Sequence, residues 1–106
     1  MPFDGTNLDE TTKTLIEARR ILIDYGWCVG NLVQNDGRHC AMGAINAAMG
    51  HHVNAAGPAY GSEAEKRLLK VLPQKWLGQC IPSFNNAQDT VEPVIALFDR
   101  AIANSP

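Results

Sequence analysis

The chain has 106 residues, 45% apolar and 19% charged, with nine Lys/Arg against eleven Asp/Glu for a net charge of −2. That length supports one hydrophobic core. That balance excludes a disordered chain and a broad cationic field for duplex binding, so direct nucleic-acid binding is not expected.

No apolar run approaches the roughly 18 residues that span a bilayer, so no membrane partner is expected. The N-terminal MPFDGTNLDE is polar and acidic, without the basic and apolar regions of a secretory signal. Residues 1–7 and 104–106 read as flexible ends of a single domain, 1–106. The three cysteines, Cys28, Cys40 and Cys80, are odd in number and lack paired spacing. Together these features point to reduced thiols in a cytoplasm rather than a disulfide framework.

The first predicted helix runs from about Asp9 to Tyr25 and stops at Gly26, a natural left-handed terminator. Leu15, Ile16, Ala18, Ile21, Leu22, Ile23 and Tyr25 cover more than half its circumference, which implies contact with more than one neighbour. Arg19 falls inside that arc, either as a stem that snorkels to solvent or as half of a buried ion pair. Gly26–Gln34 is β-prone but carries two glycines. It reads as a short strand or an extended loop, closed by the Asn35-Asp36-Gly37 turn.

A second helix is predicted from Cys40 to Met49, ended by Gly50. It is apolar or small nearly all round, with Asn46 its one polar interruption, and so belongs at the centre of the fold. His51–Gly61 reads as a loop. Ser62-x-x-Glu65 is a capping box opening a third helix through about Leu72, with Leu68, Leu69, Val71 and Leu72 inward. Pro73 ends that helix or begins a helical turn carrying Trp76 and Leu77. Cys80–Gln88 reads as a connecting loop. The last helix spans about Val91 to Ala103, capped by Thr90 or Asp89, with Pro93 in its first turn where a missing N–H costs little. The expected fold is all-α: a compact bundle of four to six helices around a central small-residue helix, with one short extended segment at 27–34.

Five kinds of chemistry are weighed on these residues. Cys40, at a predicted helix N-terminus, is a candidate nucleophile, with His39, His51 or His52 as base and Asn85, Asn86 or Asp89 to orient it. Its wheel face is shared with Ala44 and Ala47, which predicts a packed, inert thiol instead. No metal site is expected: Cys28, Cys40, Cys80, His39, His51 and His52 include no Cys-x-x-Cys, and adjacent histidines point apart. No cofactor is expected, since Gly57-Pro58-Ala59-Tyr60-Gly61 lacks the Lys-Ser/Thr of a phosphate loop. Trp27, Trp76, Phe84 and Tyr60 read as filling between helices, with exposed recognition aromatics as the alternative. The acidic stripe Asp9, Glu10, Glu17 and Asp24 is a candidate surface for a basic protein partner, against the plainer reading of a solvated face.

Three segments carry a resemblance: Gly26-Trp27-x-x-Gly30, Asp36-Gly37-Arg38-x-Cys40-Ala41-x-Gly43-Ala44-Ile45, and Phe84-Asn85-Asn86 ahead of the last helix. They resemble an uncharacterised family of small helical proteins encoded by phages and bacteria, from Ala18 onward. Where that family usually reads Trp-Asn-Asp, this chain has Phe84-Asn85-Asn86. In length and character the chain also resembles small anti-CRISPR proteins that act on type I-E systems. That second resemblance implies a non-enzymatic inhibitor that binds an effector complex or its nuclease directly. The alternative is a cysteine-dependent enzyme using Cys40.

Overall fold

A computed structural model describes residues 8–104; of the flexible ends expected at 1–7 and 104–106, all but Asn104 lie outside that range. Among the described residues there are five α-helices: α1 Glu10–Tyr25, α2 Ala41–Ala48, α3 Glu63–Lys70, α4 Ile81–Asn86 and α5 Glu92–Ala103. A 3₁₀ turn, Gln74–Trp76, precedes α4. The expected all-α bundle is therefore the observed architecture.

Helix α1 begins where Asp9 accepts the Thr12 N–H at 2.8 Å, an N-cap that satisfies one orphan donor of the first turn. It ends at Gly26, whose φ of +96° few other residues adopt without strain. Its apolar arc packs against α2, α3 and α5, as the width of the arc implies. The arc is not fully covered, because Ile16, Ile23 and Tyr25 stay exposed. Arg19 resolves its own ambiguity: its Nε lies 2.6 Å from Asp99 Oδ1, a solvent-facing ion pair that ties α1 to α5.

Helix α2 is the centre, with Ala41 to Ala47 all buried. It starts one residue later than predicted, because Cys40 has extended backbone and serves as the N-cap, its sulfur accepting from Gly43 N–H at 3.3 Å. Small residues are needed here. A Cβ on Gly43 would lie 1.8 Å from the Leu32 carbonyl oxygen, so only glycine lets the preceding loop cross α2 this closely. Asn46 is 1% exposed and bonded at both ends of its amide, accepting from Ala59 N–H at 2.8 Å and donating to the Ala55 carbonyl at 3.5 Å. It thereby fastens the 51–61 loop to the core helix.

Helix α3 is capped by Ser62 as its capping box predicts: Ser62 Oγ accepts from Glu65 N–H at 3.2 Å, and Glu65 reaches back to Gly61 N–H at 2.7 Å. It ends at Lys70, two residues short of expectation. The segment 80–88 differs from its predicted loop, since Ile81–Asn86 form α4. Pro82 sits in the first turn, where it forfeits no helical hydrogen bond, so it opens this helix. Helix α5 is entered through Val91 in helical backbone without a side-chain cap, so neither Thr90 nor Asp89 plays the predicted part. Buried residues of all five helices and the connecting loops form one core cluster.

Candidate functional site

The segment between α1 and α2 forms no strand. It makes isolated bridges of Trp27 and Val33 with His39, held by Cys28 N–H to the His39 carbonyl and His39 N–H to the Gly26 carbonyl, both at 3.0 Å. Cys40 N–H donates to the Leu32 carbonyl at 3.1 Å, and Asn54 Oδ1 accepts from Leu32 N–H at 2.8 Å. An irregular loop with this many satisfied backbone groups is a fixed structure.

Asn85, on α4, holds the loop to the central helix. It is fully buried. Its Oδ1 accepts from Trp27 Nε1–H at 2.7 Å and from Ala41 N–H at 3.0 Å. Its Nδ2 donates to the Cys28 carbonyl at 3.1 Å and to Asn86 Oδ1 at 3.1 Å. Asn86 Oδ1 also accepts from Gly30 N–H at 3.0 Å. The three separated motif segments thus meet in one hydrogen-bonded cluster. Asn86 takes part as an acceptor, which a carboxylate could equally do, so the departure from Trp-Asn-Asp keeps the cluster intact. Phe84, in the Trp position, is buried edge-on to Trp76 with ring centroids 5.6 Å apart.

The candidate nucleophile Cys40 lies inside the protein. Its thiol is buried, its pKa is raised by that burial, and backbone N–H groups only partly offset the effect. Cys28 is likewise buried and pushed up to about 11, its thiol donating to the Asn31 carbonyl at 3.4 Å. Cys80 is exposed, and contact with Ser83 Oγ at 3.1 Å holds its pKa below the ordinary thiol value. All three thiols are free. His51 is turned to the Ala55 carbonyl at 3.1 Å. No group of three His, Cys, Asp or Glu among the described residues is placed to hold a metal ion.

The acidic stripe divides along α1. Asp9 caps the helix and pairs with Arg67 of α3, and contacts from Thr12 and Arg67 hold its pKa down to about 2. Glu10 pairs with Lys13, at 3.4 Å, and is largely solvated. Glu17 and Asp24 clamp Arg20 from either side, at 2.5 and 2.7 Å.

Glu17 also borders a cleft of about 370 Å³ between α1 and the turn ahead of α2. Ile21, Val33 and Ala47 contribute its apolar lining, and Arg20, Tyr25, His39 and His52 contribute rings and charge. His39 is 9% exposed, and its Nδ1 is sealed without a hydrogen-bond partner. Burial lowers its pKa, with the nearby Gly37 backbone opposing and His52 adding to the effect. The cleft unites three sequence candidates, Glu17, His39 and His52. It leaves Cys40, Asp9 and Glu10 elsewhere. Tyr25 and Arg20 were not sequence candidates; the legible signal was an aromatic in the last helical turn before Gly26.

Fold and site define a small all-helical domain whose motif residues hold a long loop against a central helix. The chain belongs to a family of unknown function, DUF6197, matched over residues 6–104. No curated protein and no solved structure matches it.

Proposed function

We propose that this chain is a non-enzymatic binding protein that acts by docking on a protein partner, and in its specific form an anti-CRISPR-type inhibitor of a type I CRISPR–Cas component encoded by a phage or mobile element. The observation that carries the binding reading is the exposure of large apolar side chains on α1, beside two recesses. Ile16, Ile23 and Tyr25 are 40%, 55% and 58% exposed on a helix whose other apolar residues are buried. Ile23 and Trp27 face a groove of about 490 Å³ shared with Val91, at the entry to α5, and Ile95 of α5. Aromatic and aliphatic anchors with charged neighbours are the composition of a protein–protein contact. The burial of Cys40 favours binding over covalent chemistry, since an attacking thiol must reach its substrate as thiolate. The CRISPR form rests on resemblance in length and character.

The test is a pull-down from a CRISPR-bearing host together with a transformation-interference assay. Reversing charge at Glu10, Glu17 and Asp24 should weaken capture and inhibition while helicity stays intact. Unchanged inhibition by that triple variant would remove the acidic face from the contact.

A further inference from the structure

The chain has nine Lys and Arg residues. Lys13, Arg19, Arg20, Arg38, Lys66 and Arg67 all lie in ion pairs. The other three, Lys70, Lys75 and Arg100, have no carboxylate partner among the described residues, and they stand on one side of the molecule. Lys75, on the 3₁₀ turn, and Arg100, on α5, line a pocket of about 360 Å³ with Pro73, Trp76, Phe84 and Pro93. Lys70 borders a neighbouring recess of about 130 Å³ beside Val71 and Ala101. No Asp or Glu among the described residues lines either hollow. Asp99, next to Arg100 in the chain, is turned to Arg19, and Glu92 lines the groove that α5 shares with α1.

The pocket walls are set in place. Arg100 Nε donates to the Val71 carbonyl at 3.1 Å, which anchors one edge of the guanidinium and leaves Nη1 and Nη2 without a partner among the described residues. Trp76 stands edge-on to buried Phe84, with the ring planes at 89°. Arg100 and Lys70 lie in the last turns of α5 and α3, where a cation offsets the helix dipole. That role does not extend to Lys75, nor to the hollow that Lys75 and Arg100 share with two prolines and an indole. In a chain of net charge −2, unpaired cations gathered around one hollow make a local positive potential.

We propose that this pocket receives an acidic segment of the protein partner, a carboxylate flanked by an apolar or aromatic side chain. The assignment rests on the binding reading above and names a contact surface and its chemistry. A guanidinium with both Nη groups open suits the two oxygens of a carboxylate, and Lys75 adds a second charge. Trp76, Phe84 and the two prolines offer the flanking side chain an apolar wall. A volume of about 360 Å³ falls at the small end of the ligand-pocket range of about 300–1,000 Å³, which fits one or two side chains. A nucleic-acid strand fits less well, because it needs a cationic track along its backbone, and Glu92 and Asp99 lie on the far side of α5.

The experiment titrates the full chain at millimolar concentrations with acetyl-Glu-Phe-amide, acetyl-Gln-Phe-amide, inorganic phosphate and a short oligothymidylate. NMR follows the indole N–H signals of Trp76 and Trp27. The Glu-Phe probe should give saturable shifts at Trp76 and none at Trp27, and should bind about threefold to fivefold more tightly than Gln-Phe. Lys75→Gln should weaken the Glu-Phe probe by a similar factor and leave Gln-Phe unchanged. Arg100→Lys keeps the charge and loses the planar fork, and should also weaken Glu-Phe. Absence of saturable shifts at Trp76, or equal affinity for Glu-Phe and Gln-Phe, overturns the proposal. So does phosphate or oligothymidylate binding at Trp76 as tightly as Glu-Phe, which would assign the pocket to phosphate chemistry. A chain that captures its partner without binding the Glu-Phe probe loses only this inference. One that binds the probe and captures no partner loses the binding reading instead.

Discussion

Replacing Asn85 by Ala removes the acceptor shared by Trp27 Nε1–H and Ala41 N–H and the donor to the Cys28 carbonyl. The Ala41 and Cys28 bonds are buried and the indole bond is half-buried, so bulk water does not replace these partners freely. Each orphaned buried group costs about 1–3 kcal/mol, which sets the loss at about 3 kcal/mol or more. A small domain has about 5–15 kcal/mol in all, and 1 kcal/mol moves its Tm by about 4–8 °C. The melting midpoint should therefore fall by about 12 °C or more. Urea denaturation followed by far-UV circular dichroism measures the loss, and Trp fluorescence reports the loop directly. Asn85→Asp is the control: it keeps the accepting oxygen, loses the donor, and places an acid where burial raises its pKa. An acid whose folded pKa is raised loses stability as pH rises above its unfolded value of about 3.9. The Asp variant should thus be closer to the parent near pH 4 than at pH 7. A loss below about 1 kcal/mol for Asn85→Ala, the scale of an ordinary surface change, would refute the role given to the cluster.

Gly43→Ala should destabilise by about 2 kcal/mol in the same assay, since overpacking against the Leu32 backbone costs about 3 kcal/mol, at the upper end of the usual range, against a helix-propensity gain of about 1 kcal/mol. Iodoacetamide should modify Cys80 first in the native protein, read by intact mass. Cys28, with its pKa near 11, is about one part in a thousand thiolate at pH 8 and should react only on unfolding, as should buried Cys40. The His39 pKa is depressed from 6.5 in the folded state, so its contribution to stability is present above that value and is lost as pH falls below it. Urea midpoints should decline between pH 7.5 and 5, and His39→Gln should flatten that slope; an unchanged slope would show that His39 does not set it.

The elements with strong periodicity were legible in sequence. Helix α1 announced itself by its arc and by Gly26, and α3 by its Ser62/Glu65 box. The central position of α2 followed from a composition that leaves no polar face. Helix α4 was not legible, because six residues are too few for a period and Pro82 reads as a breaker until its place in the first turn is known. The cap of α5 was missed for a related reason: Asp89 and Thr90 have the right chemistry, but the chain is already helical at Val91.

The site was legible only in fragments. Glu17 and His39 were named for unrelated reasons, one from a charge stripe and one as a neighbour of Cys40. Their meeting depends on how the 26–40 loop folds back over α1. That path is set by contacts from Asn54, Asn85 and Asn86, which lie far along the chain and have no local pattern. The same contacts explain the motif. Asn85 and Trp27 serve the loop through hydrogen bonds, and Gly43 serves it by lacking a Cβ where the Leu32 carbonyl crosses α2.

The most direct test of non-covalent action by a binding protein mixes purified chain with a type I CRISPR effector complex and resolves the mixture by size-exclusion chromatography and intact mass. The account predicts stoichiometric co-elution with unchanged masses, inhibition that saturates at that stoichiometry, and the same behaviour from Cys40→Ala once its folded fraction is matched. Failure to co-elute, inactivation by substoichiometric chain, a covalent mass change on the effector, or loss of inhibition by a folded Cys40→Ala protein would contradict it.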